Sequence, residues 1–252
     1  MNFKKACAAG LSALILSVGA MASPINVGGV IWDPDEELNN PFPMLQDFNM
    51  RGAILEDVAS GTPGEILTGY GRVLNINSQD PNSALFCPGC ELTFTFSMEL
   101  VSFDITSGTL GVVGNEGDFE FTNLEINFFV DYAQNYNGTS GTAGDGDLWL
   151  QLTSDSLSGS GADNLGTGSD TGNGSALLNV EQVGLAWNNF DTNGEAGGYD
   201  MVLDSSFQGI GSDTQLGGSF QITGNSIPEP SSLALLGLGM LGFAGFARRK
   251  KA

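Results

Sequence analysis

Residues 91–105 carry the pattern that most limits what this chain can become. Leu92, Phe94, Phe96, Met98 and Leu100 alternate with Thr93, Thr95, Ser97 and Glu99. A period of two puts one set on a buried face and the other in water, as in a half-buried β-strand. Beyond Leu100 the apolar phase slips, because Val101, Phe103 and Ile105 are odd-numbered. A β-bulge or a corner near Leu100 accounts for the slip. Residues 119–130 repeat the device: Phe119 and Phe121 lie in one phase, and Leu124, Ile126, Phe128 and Val130 in the other. Two long strands that each change phase predict strands bending across two packed sheets.

Other stretches read as strands too: residues 24–32, 52–58, 65–77, 148–152 around Trp149, 176–187, 200–208 and 218–223. Gly69 and Gly71 mark a bend or bulge in the third of these. Two tracts, 137–147 and 154–175, are almost entirely Gly, Ser, Thr, Asn and Asp. They bury too little apolar surface to offset ordering entropy, so they are predicted to be mobile surface loops. Nine or so short strands between Gly/Asn/Asp turns, with no soluble helix, predict an all-β fold. The expected architecture is an antiparallel β-sandwich, with a β-barrel as the alternative. A chain of this length suits one all-β domain.

The two ends read differently. Lys4 and Lys5, an apolar run from Ala6 to Val18 and the small-x-small Ala20-Met21-Ala22 form a signal peptide over 1–22. Cys7 is discarded with it. The β-rich ectodomain spans 23–226. At the other end, residues 231–247 carry no charge. As a helix they would be roughly 25 Å long, at the short end of what a bilayer core needs. Pro228 and Pro230 bar helix upstream. Arg248, Arg249, Lys250 and Lys251 close the segment on the cytoplasmic side.

Pro228-Glu229-Pro230, the Leu/Gly-rich apolar run and the basic tail, in that order, resemble the PEP-CTERM sorting signal of exported bacterial proteins. The resemblance covers 227–252. It implies transient anchoring in the inner membrane by helix 231–247, then release to the cell surface or beyond. An exosortase-type processing enzyme is the implied partner, in Gram-negative bacteria that make exopolysaccharide. The alternative is a plain C-terminal anchor that is never cut. Residues 67–77 and 86–96 also look like a block seen in some PEP-CTERM ectodomains, which adds no site.

Charge narrows the partners. All 29 acidic residues lie between Asp33 and Glu229, against only Arg51 and Arg72, a net charge of −27 for residues 23–229. Nucleic acid needs a basic footprint, and anionic lipid is repelled in the same way. The charge reads first as a solvated, solubilising surface. The chain has no histidine. That removes the usual general base and the triads built on it. The ectodomain has no lysine either, which removes Schiff-base and Ser-Lys chemistry. A glycosidase carboxylate pair is a third-ranked reading, because nothing in the spacing selects two of the acids.

Cys87-Pro88-Gly89-Cys90 are the two cysteines of the mature chain. A redox site requires the motif to open a helix, and here a strand follows. A zinc site would need two more ligands. The favoured reading is one local disulfide in an oxidising compartment. No cofactor is expected, calcium being the one candidate. Asp145-Gly146-Asp147 and Asp191-Thr192-Asn193-Gly194-Glu195 set oxygens at alternate positions, and Gly166–Asp170 matches part of a β-roll repeat. A solvated turn accounts for each as well. The expected function is a non-enzymatic, surface-sorted protein of the cell surface or exopolysaccharide matrix. The alternative is a calcium-assisted carbohydrate-binding module stacking sugars on Trp32, Trp149 or Trp187.

Overall fold

The computed structural model describes residues 24–34, 47–57, 62–77, 86–107, 115–163, 171–210 and 215–227. Eleven strands are formed: β1 (Ile25–Val27), β2 (Val30–Trp32), β3 (Phe48–Asp57), β4 (Ile66–Ile76), β5 (Glu91–Ser107), β6 (Asn115–Asp131), β7 (Asp147–Ser154), β8 (Leu157–Asp163), β9 (Thr171–Val180), β10 (Met201–Gly209) and β11 (Gln215–Gly224). One four-residue helix, α1 (Ser140–Ala143), lies between β6 and β7. Apart from the small β1–β2 hairpin, each strand pairs with its sequence neighbours, and every pairing is antiparallel. The last strand then returns to β3, from Gln215↔Asp57 to Gly224↔Phe48. The sheet therefore closes on itself as an eight-stranded up-and-down barrel, with β7 and β8 sharing one place in the wall. β6 pairs with β7 through its second half and with β8 through its first.

The expected sandwich is thus corrected to the barrel alternative. The alternation in β5 is as read: Leu92, Phe94, Met98 and Leu100 are buried. The phase slips are bulges. Opposite Leu100–Ser102, Val101 is the extra residue of β5, and opposite Ser97–Glu99 the extra residue in β6 is Asn123, at φ +52°. They turn both strands along a curving barrel wall instead of carrying them between two sheets. β-bulges are the device by which such walls curve.

The glycines explain how the barrel fills. Phe96 lies over Gly69 and Phe94 over Gly71, so that an added Cβ would stand 2.2 Å and 2.7 Å from the rings. Phe220 covers Gly52 and Phe207 covers Gly172 in the same way. Large residues fit the taper because the adjacent strand offers none. Gly69 and Gly71 therefore make room for rings; the irregularity between β3 and β4 falls elsewhere, between Arg51 and Gly52. The tract predicted to be loop at 154–175 is corrected by the same observation. Most of it forms β8 and the start of β9, paired from Leu157↔Ala176 to Ala162↔Thr171. Phe119 lies over Gly159, which lets a nearly apolar-free strand line a core. The other tract is a hydrogen-bonded turn around α1, packed on the outer wall: Thr93 Oγ1 donates to Ala143 O at 2.7 Å, and both residues are buried.

Candidate functional site

One end of the barrel is closed by aromatic packing. β1 and β2 turn at Gly28 and Gly29, with φ of +61° and +86°, conformations that glycine adopts without a Cβ clash. The hairpin is pinned by the Trp149 indole N–H, which donates to Val27 O at 3.0 Å, and by the Tyr132 hydroxyl, which donates to Gly28 O at 2.9 Å. Trp32 stacks on Phe190 at 5.0 Å and meets Phe48 and Trp149 edge-on at 6.0 Å each. Cys87 and Cys90 form a disulfide at this end, with Cα atoms 5.1 Å apart and both residues buried. Gly29 packs against the Cys90 sulfur. β5 follows the pair directly, so no helix N-terminus is there to activate a thiolate.

The chain leaves the barrel at this closed end. Beyond β11, the Ser226 N–H donates to Asp47 Oδ1 at 2.5 Å and the Ile227 N–H to Asn189 O at 2.7 Å. Asn77 holds the same region from below. Its side chain accepts from Asn49 N at 2.6 Å and donates to Asp47 O at 2.6 Å and Asp33 O at 3.2 Å. Residues 225–227 are thus a strap joining the end of β11, the start of β3 and the loop after β9. Ser226 is buried, while Ile227 is 40% exposed.

The acid loops have internal work. Asp200 is buried, and its carboxylate accepts from Val180 N at 2.8 Å, Thr192 N at 2.7 Å and Asn193 N at 2.6 Å. Asp191 accepts from Asn193 Nδ2 and Gln182 Nε2. The loop 191–195 is built around Asp200, an acid that alternate spacing does not pick out. Asp145 accepts from Asn135 Nδ2. Among the described residues no group of three or more metal-ligating side chains is gathered. Asp170 lies outside the described residues. Of the three tryptophans, Trp32 and Trp149 are in the aromatic plug and Trp187 is half-buried against it.

Two titrating groups depart from the ordinary. Glu56 is next in line along the inward-facing row of β3 after Phe48, Met50, Gly52 and Ile54, at the end away from the plug. Burial pushes its carboxyl up to about 7, with the charge of Asp57 adding to the shift. The Tyr136 phenol is raised by burial first and by nearby Tyr70 second. The space within the barrel is an apolar cavity of about 40 Å³, lined by Ile54, Phe94, Ile126, Phe128, Leu203 and Ile222 among others. That is room for a water or two. The interior is a packed core, not a ligand chamber.

The sorting residues expected from sequence, Pro228, Glu229, Pro230, Arg248, Arg249, Lys250 and Lys251, lie outside the described residues, as do helix 231–247 and the signal peptide. Among the described residues no helix is long and apolar enough to cross a membrane. Residues 226–251 match the family model of the PEP-CTERM protein-sorting motif. No curated protein and no solved structure matches the chain. A sorting motif of this kind implies export, a surface or extracellular destination and processing by an exosortase. The matched segment begins at Ser226, inside the strap.

Proposed function

We propose that this chain, which carries a PEP-CTERM sorting motif, is a non-enzymatic surface protein that serves the cell surface or exopolysaccharide matrix. The motif carries the reading. Support comes from chemistry: no histidine anywhere, no ectodomain lysine, a disulfide and an acidic exterior suited to an oxidising, solvated setting. The precursor is held transiently in the inner membrane by residues 231–247 with Arg248–Lys251 inside. The mature chain starts near Ser23 and ends near Pro230.

The test is C-terminal peptide mapping of membrane and extracellular fractions, in a host with and without its exosortase. Extracellular protein lacking Arg248–Lys251 is expected only with the enzyme. Changing Pro228-Glu229-Pro230 to alanines should leave full-length precursor in the membrane. Extracellular protein that keeps the basic tail would overturn the proposal.

A further inference from the structure

We infer that the fold itself sets the upstream limit of C-terminal processing, which rests on the reading that this chain is processed at all. A peptidase binds its substrate extended over several residues around the scissile bond, and needs those backbone N–H groups free. Residues 225–227 do not offer this. The Ser226 N–H is committed to Asp47 and the Ile227 N–H to Asn189 O. Ser226 is buried, and β11 continues directly into the strap. Pulling these residues into an active site would undo the junction of β11 with β3, which is the seam that closes the barrel. The first residue past the last of these bonds is Pro228, the first of the motif itself. The processing enzyme therefore reads Pro228 onward, the bond cut lies beyond Ile227, and no stave of the barrel is lost. In the cut one peptide bond breaks: the acyl carbon passes to a nucleophile, water or an amine, whose proton ends on the departing nitrogen. A strap that stops where the motif starts also means that a folded barrel presents the motif without a linker.

Three measurements on the full chain test this. The first is intact mass of the product made in a host with its exosortase. A single C-terminus downstream of Ile227 is expected, and one upstream of Ile227 overturns the inference. The second inserts Gly-Ser-Gly-Ser between Ile227 and Pro228, leaving the strap intact. The product should gain the four inserted residues; a cut that stays at a fixed distance from Ile227 instead would overturn it. The third is independent of the exosortase: carboxypeptidase digestion of detergent-purified precursor. Digestion should halt within one or two residues of Ile227, and in Ser226→Pro, which has no N–H to give Asp47, should run on into β11 at least tenfold faster. Equal passage through Ser226 in both chains would sink the strap. If no host ever yields a product without the tail, the processing reading fails while this third result still stands or falls alone.

Discussion

The Asp200 carboxylate accepts three backbone N–H groups in a buried site. Asp200→Ala would leave all three without an acceptor, and each unsatisfied buried donor costs about 1–3 kcal/mol. We expect a loss on the order of 3 kcal/mol in chemical denaturation; Asp200→Asn, which keeps one carbonyl oxygen, should lose less. Glu56 gives a prediction in pH. Its carboxyl titrates at about 7 when folded and at an ordinary 4.5 when unfolded, so the folded state binds the proton more tightly. Its contribution is fully present below 4.5 and lost as pH rises through 7. Thermal melts should show falling stability across that window, and Glu56→Gln should flatten this part of the profile. A profile identical to the parent's would remove Glu56 as its source. Neither acid stands out in the sequence. The 29 acids look alike there, and only burial separates the one that organises a loop from the one that faces inward.

At the level of elements, the strands with apolar alternation were legible and the glycine-rich ones were not. β5 and β6 announce their faces through Leu, Ile and Phe at every second position, and even their bulges show as phase slips. β8 has no such code. Its inward positions include Gly159 and Gly161, and the apolar matter that fills them is on other strands, as Phe119 and Phe207. Composition counts what a segment brings and misses what a neighbour lends. We therefore expect amides of β8 to exchange with solvent as slowly as those of β9 and β10, within about tenfold. Free exchange of Gly159 and Gly161 would restore the loop reading. The plug is a second element with a measurable share. Trp32 is buried against three aromatic rings, so Trp32→Ala should cost about 3–5 kcal/mol. The Cys87–Cys90 pair closes a short loop, and its loss should cost only about 2 kcal/mol. Native protein should take up no thiol label at either residue.

Closure belongs to the whole molecule, and no local pattern encodes it. Sandwich and barrel ask for the same alternation; they differ in whether the last strand finds the first. Here β3 and β11 are each ten residues long and pair end to end, a match between segments some 160 positions apart. The sorting motif sits at the opposite extreme, since it is linear and can be read without a fold. The strap lies between these cases: Asp47, Asn189, Ser226 and Ile227 acquire a joint meaning only once the barrel has brought them together. The closed molecule also concentrates its charge. Residues 23–229 carry −27 with only Arg51 and Arg72 to offset it. Like charges held on one compact surface repel, and unfolding relieves part of that repulsion. Salt should then stabilise the ectodomain, because the Debye length falls from about 30 Å at 0.01 M to about 3 Å at 1 M. We expect the melting temperature to rise by several degrees over that range in NaCl. Calcium offers the sharper comparison. If the acids act only as a diffuse surface, calcium and magnesium at equal ionic strength should raise the melting temperature alike. A rise with calcium that magnesium does not reproduce, and that vanishes in Asp191→Asn or Asp145→Asn, would show a true cation site and revive the calcium-assisted carbohydrate reading. Equal shifts would leave the acids as a solvated surface.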